Sequence, residues 1–179
     1  MNLETANYLV GLGTLLLQLV GVALLALFFL RKRFRDLEDV ADFLKKWGLW
    51  IGFIISLGAT LGSLYYSEVL GVTACGWCWV QRIFLYPQVI LFALALRKRD
   101  RGIADYSIAL SIFGGAVALY QHYLQMGGTS AIPCPATASQ ALECNVRFLF
   151  EFGYITFPLA SFTIFTFLIV LMLFTRQRA

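Results

Sequence analysis

Charge is what this chain has least of. Only 13% of its 179 residues are charged, against 60% that are hydrophobic. A soluble domain carries about a quarter charged residues, and the core of a small soluble protein cannot absorb this much apolar surface. Histidine occurs once and acids number ten, too few for the crowded polar cleft of a hydrolase. Internal repeats and low-complexity stretches are missing as well, so neither a repeat array nor a biased tail needs to be considered. The net charge of +4 suits nucleic acid or anionic lipid in bulk. Its placement decides for the lipid bilayer, and no nucleic-acid partner is expected.

What is abundant is long apolar sequence. Residues 8–30, 47–67, 106–125 and 152–175 contain no charge, and residues 79–96 contain one, Arg82. Each run falls in the range of about 17 to 25 residues that crosses a bilayer as a helix. The runs are apolar on every face, unlike the one-sided helices of a soluble bundle. Gly58, Gly62, Gly114 and Gly115 suit close helix contact inside a membrane. Arg31, Lys32, Arg33, Arg35, Lys45 and Lys46 lie between runs one and two. Arg97, Lys98, Arg99 and Arg101 lie between runs three and four, and Arg176 and Arg178 follow run five. These twelve of the fourteen basic residues share one side of a five-pass chain, which the positive-inside rule assigns to the cytoplasm. The N-terminus, the "SEVLGVTACGWC" turn and residues 126–151 are then outside. Run one has no preceding basic residue and no small-x-small cleavage site, so a retained anchor is expected rather than a signal peptide. In "FRDLEDVADFLKK", Phe34, Leu37, Val40, Ala41 and Leu44 share one face, and a short interfacial helix is expected there.

All four cysteines fall on the outer side, where disulfides persist. Cys75 and Cys78 form a C-x-x-C at the outer start of run three; Cys134 and Cys144 have nine residues between them in "IPCPATASQALECN". Four thiolates also make a zinc site, but such sites favour two tight hooks, so no metal is expected. Two bracing disulfides in a structural membrane subunit remain the alternative. C-x-x-C at a helix start is the spacing of thiol–disulfide exchange sites, because the helix N-terminus favours the thiolate. Arg82 lies four residues after Cys78, one turn further on the same face. An ionisable group inside the bilayer is costly and marks a functional position by default; its alternative is snorkelling to headgroups. His122, in "LYQHYLQ" near the outer end of run four, reaches a similar depth.

These stretches resemble the DsbB family of bacterial disulfide bond formation proteins, including its BdbC-like members. The resemblance covers residues 47–175. "CGWCWVQRIFLYP" carries its helix-start C-x-x-C, the arginine four residues on, and the Tyr86-Pro87 pair. "YQHYLQ" matches the family's histidine region, and Cys134 and Cys144 match its second redox pair. Vitamin K epoxide reductases share the bundle but place the loop pair first. Gln81 stands where some members have an acid, and the family core has four helices, so the first run is an addition.

The resemblance implies an all-α polytopic membrane protein with a DsbB-type four-helix bundle in residues 47–179, preceded by an extra transmembrane helix and cytoplasmic segment in residues 1–46. It implies catalytic Cys75, Cys78, Cys134 and Cys144, with Arg82 and His122 at a bound quinone, either menaquinone or ubiquinone. It implies a partner, an extracytoplasmic thioredoxin-fold thiol oxidase of the DsbA or BdbD kind. Its thiolate would attack at Cys134, the freed Cys144 would attack Cys75, and Cys78 would be released beside the quinone. Arg82 would favour the Cys78 thiolate and stabilise negative charge on the quinone. No acid stands four residues before or after Arg82, so its charge is expected to find a thiolate or quinone oxygen. The location implied is the bacterial cytoplasmic membrane, with the N-terminus outside.

Overall fold

A computed structural model describes residues 2–30, 36–100, 102–135 and 144–176. Arg31, Lys32, Arg33, Phe34, Arg35, Arg101, Arg178 and the centre of the Cys134–Cys144 loop lie outside the described residues. Among those described there are five long helices: α1 (Leu3–Leu30), α2 (Asp36–Leu64), α3 (Gly76–Lys98), α4 (Ile103–Gln125) and α5 (Phe157–Arg176). All five are long and apolar enough to cross a membrane. The expected all-α polytopic architecture is the one observed.

Helices α2 to α5 close a ring in which each packs on its chain neighbour and α5 returns to α2. Helix α1 lies outside this ring, mainly against α5. That makes α5 the most buried helix, and it reads as nearly continuous Phe, Leu, Ile and Val. At the end away from the cysteines, Phe92, Leu168, Leu171, Met172 and Phe174 form a dense core. Gly114 permits the α4–α5 contact, since a Cβ there would strike the ring of Phe165. Apolar packing alone drives little association in lipid, so polar pairs matter more. Gln88 supplies one: its amide donates to Ser111 Oγ and accepts from Ser107 Oγ, at 3.2 and 2.7 Å, joining α3 to α4.

Three expected boundaries are corrected. From Asp36 onward, the stretch read as a separate interfacial helix is the beginning of α2, which runs unbroken through residue 46. No glycine or proline interrupts it there, and Leu44 is buried against the far end of α5. The second run ends not as α-helix but in a π-helical turn, Tyr65–Val69. The fifth helix starts at Phe157, not at residue 152. Before it, Glu151 and Ile155 pair across a tight turn, with Phe152 and Gly153 at φ of 52° and 79°. Thr156 then caps α5, its Oγ1 accepting from the backbone N–H of Leu159 at 3.3 Å, which satisfies one of the orphan donors of the first turn.

Candidate functional site

The C-x-x-C sits where extended chain turns into α3. Cys75 is the N-cap, and its sulfur accepts from the backbone N–H of Cys78 at 3.4 Å. One helical turn therefore brings the sulfurs together. Cys75 Sγ and Cys78 Sγ are free and 2.7 Å apart, longer than the roughly 2.05 Å of a disulfide bond. Cys75, which precedes the span, is buried. Its hydrogen bond with Cys78, then burial, push its thiol well above the ordinary range.

Gln121 of α4 faces this pair. Its Nε2 donates to Cys75 Sγ at 3.0 Å and to Cys78 Sγ at 3.3 Å, while its Oε1 accepts from Gln81 Nε2 at 2.6 Å. Gln121 is 0% exposed. The Gln81 donor anchors the carbonyl of the Gln121 amide, whose oxygen also lies 3.8 Å from Cys78 Sγ, and the amide nitrogen reaches both sulfurs. A sulfur carrying negative charge needs donors, and in low dielectric such a bond counts for more than in water.

Cys134 and Cys144 are joined by a disulfide, with Cα atoms 5.9 Å apart. Pro135, at the start of the loop, lies directly on the C-x-x-C. A Cβ at Gly76 would collide with the backbone carbonyl oxygen of Pro135. The residue after Cys134 thus rests on the residue after Cys75. Tyr120 of α4 holds the approach: its hydroxyl donates to Ile132 O at 3.1 Å and accepts from Ile132 N at 2.9 Å. The same ring packs edge-on against Trp77, with centroids 5.6 Å apart.

Beneath the cysteines lies a cavity of about 310 Å³, at the lower end of the ~300–1,000 Å³ of small-molecule pockets. Cys75, Cys78, Gln81, Arg82 and Gln121 line its polar side; Leu85, Ile164 and Phe165 line its apolar side. Arg82 is held by uncharged groups of α2 and of the π-helical turn that follows it. Its Nε donates to Ser63 Oγ at 3.0 Å, and its Nη2 to Ser63 O and Ser67 Oγ at 3.2 and 3.1 Å. Its guanidinium carbon lies 5.0 Å from the centroid of the Trp79 ring. The expectation that a thiolate or quinone oxygen is its available partner therefore needs amending, because these oxygens already orient the fork. They do not neutralise it: no carboxylate pairs with Arg82 among the described residues. The π-helical turn supplies Ser67, as such turns often do at functional sites.

His122 is not among the residues lining this cavity. Its Nδ1 lies 2.8 Å from Thr156 Oγ1, at the cap of α5. Adjacent helix positions differ by about 100° in direction, so Gln121 meets the sulfurs while His122 meets the cap. Gln121, Gln81, Ser63 and Ser67 are missing from the sequence-predicted site. The two glutamines carried a usable signal, since buried amides in an apolar helix need partners.

Fold and site together define a class: a polytopic helical membrane protein with a C-x-x-C at a helix start, a second cysteine pair docked over it, and a cavity beneath. Comparison with known proteins narrows that class. The family model for disulfide bond formation protein DsbB matches residues 45–175, and the chain belongs to this family. It is 34% identical over 114 residues to the probable disulfide formation protein C 1 of Bacillus anthracis, covering 64% of this chain and 81% of the relative. To the probable disulfide formation protein of Coxiella burnetii (strain Dugway 5J108-111) it is 36% identical over 119 residues, covering 66% and 80%. To the SPbeta prophage-derived disulfide bond formation protein B of Bacillus subtilis (strain 168) it is 35% identical over 109 residues, covering 61% and 72%. No solved structure matches it significantly. Family membership supports a disulfide-bond-related membrane oxidoreductase function for the chain.

Proposed function

We propose that the protein is a BdbC-like disulfide:quinone oxidoreductase of the bacterial cytoplasmic membrane. It reoxidises an extracytoplasmic thioredoxin-fold thiol oxidase and passes the electrons to membrane menaquinone or ubiquinone. The observation that carries this reading is the single cavity lined by both Cys78 and Arg82. In this reading residues 47–179 form the redox bundle and residues 1–46 are an addition to it. The N-terminus and both cysteine pairs are outside, and the C-terminus is cytoplasmic.

The partner's thiolate attacks the Cys134–Cys144 disulfide at Cys134, forming a mixed disulfide and freeing Cys144. The Cys144 thiolate attacks Cys75 of an oxidised Cys75–Cys78 pair, forming a Cys144–Cys75 bond and freeing Cys78. The partner's second thiol displaces Cys134, completing the partner's disulfide. Cys134 then displaces Cys75 and restores the loop disulfide. The net result is a partner disulfide and a Cys75–Cys78 dithiol. A quinone held beside Cys78 by Arg82 and the apolar wall would supply the sink for the two electrons and two protons of that dithiol. The cavity fits such a ring: it is apolar on the Leu85, Ile164 and Phe165 side and carries an unneutralised guanidinium. Gln121 donates to the sulfurs, and Arg82, held by Ser63 and Ser67, presents fixed positive charge where negative charge develops.

The test is quinone reduction by purified protein with a reduced thioredoxin-fold partner as electron donor. Turnover that is lost in both Cys75→Ala and Cys78→Ala is expected. Near wild-type turnover in either variant would overturn the relay. No turnover in the unaltered protein, with both pairs resisting mild reduction in a thiol-trapping gel, would make the cysteines structural braces.

A further inference from the structure

The family match begins at residue 45, so α1 lies wholly outside it. Yet Val10, Gly13, Thr14 and Leu17 of α1 line the cavity beneath Cys78. Polar links bracket this stretch. Before it, Asn7 Nδ2 donates to Phe148 O at 2.8 Å, and Asn7 Oδ1 accepts from Tyr66 OH at 3.1 Å. After it, Gln18 Nε2 donates to Thr163 Oγ1 at 3.2 Å, and Gln18 Oε1 accepts from Tyr154 OH at 3.0 Å. Asn7, Val10, Thr14 and Gln18 follow helical spacing and share one face. Helix α1 is therefore fixed to the π-helical turn after α2, to α5 and to the segment before α5, with its cavity-lining stretch held between two anchors. The remainder of the helix is largely exposed to the surroundings.

We infer that α1 is a wall of the quinone-binding pocket, and that Gly13 keeps open the space the ring occupies. This deepens the proposed function and rests on it. A Cβ at Gly13 would meet nothing within 4 Å, and the same holds for Gly58 and Gly62 of α2, which line the same cavity. Small residues alone do not make a ligand site. Here the cavity also holds Gln125, 6% exposed, whose Nε2 donates to Val146 O while its Oε1 has no hydrogen-bond partner among the described residues. A buried amide oxygen left unpaired is costly unless something else satisfies it. The four-helix ring without α1 would leave this side of the pocket open to lipid, so α1 replaces mobile acyl chains with a fixed surface.

The experiment measures quinone binding directly, by quenching of tryptophan fluorescence with decylubiquinone in detergent. Gly13→Leu fills the space from α1 while favouring the helix. Its Kd is expected to rise at least tenfold, with unchanged thermal unfolding and unchanged alkylation of the reduced Cys75–Cys78 pair. Val22→Phe, at a position of α1 that is 68% exposed and outside the cavity, is expected to bind as the unaltered protein does. If Gly13→Leu does not accumulate in the membrane, Gly13→Ala carries the test with a rise of about threefold. Binding by the unaltered protein with the same Kd in the Gly13 variant overturns the wall and leaves the proposed function standing. No binding by the unaltered protein overturns both.

Discussion

At the scale of single residues, the site depends on uncharged groups placing charged ones. Gln121 offers its N–H groups to both sulfurs while Gln81 anchors its carbonyl. Gln121→Glu keeps the shape but replaces a donor with a carboxylate facing the sulfurs. We expect iodoacetamide to alkylate the reduced pair about tenfold more slowly at neutral pH, a difference of roughly 1.4 kcal/mol. Gln121→Ala should fall between the two, and an unaltered rate in the Glu variant would mean the contact is only packing. Arg82 gives the second residue-scale prediction. Arg82→Met keeps the length and removes the charge. The KM for quinone should rise about tenfold while the melting temperature in detergent changes little. Lysine should rescue only in part, because it cannot reproduce the fork that Ser63 and Ser67 hold. Unchanged kinetics with a large loss of stability would make Arg82 a structural anchor.

At the scale of elements, the decisive contact is between a loop and a helix start. Gly76 is the second residue of the C-x-x-C, and its missing side chain lets the Pro135 carbonyl settle there. Gly76→Ala suits the helix, so it tests the docking and not the fold. A single-turnover thiol-trapping experiment should show reduced Cys134 and Cys144 accumulating before electrons reach Cys75 and Cys78, with transfer slowed at least tenfold. Transfer at the normal rate would mean that the loop reaches the pair by another approach. The α5 start shows the same dependence on local chemistry. A turn at Glu151–Ile155 and the Thr156 cap delay the helix, and His122 ties α4 to that cap. His122 belongs by position to the framework around the site, one residue from the glutamine that faces the sulfurs.

At the scale of the whole molecule, one end of the bundle gathers the chemistry. The start of α1, the π-helical turn after α2 and the approach to α5 meet there through Asn7, Tyr66 and Phe148, and the start of α3 and the end of α4 meet through Cys75, Gln81 and Gln121. At the opposite end lies the ion pair of Arg176 with Asp105, whose partners are both more than half exposed and which adds about 0–1 kcal/mol at most. Five spans with basic residues at that second end lead to a topology prediction. An alkaline phosphatase fused after Gly128 should be active, and one fused after Arg99 inactive. The reverse pattern would put the cysteine pairs in the cytoplasm and remove the oxidising compartment the relay needs.

Hydropathy by itself determined that the chain is helical and polytopic, with five helices long enough to cross a membrane, because the bilayer requires about 20 apolar residues per helix whatever the neighbours are. Spacing alone also singled out Cys75, Cys78 and Arg82, since residues four or fewer apart on a helix have nearly fixed relations. Contacts distant in sequence were legible only in part. That Cys134 and Cys144 form the second pair followed from resemblance, but the seat of Pro135 on Gly76 did not. Nor did the choice of Gln121 over His122, for both lie at the same depth and only the rotation of α4 against α3 separates them. The place of α1 was least legible of all. Its apolar faces look alike in sequence, and only packing against α5, between the Asn7 and Gln18 anchors, turned one of them toward the cavity. Membrane helices announce their length through solvent, a one-dimensional property, whereas their partners are chosen by a few polar groups and close contacts that exist only once the bundle has formed.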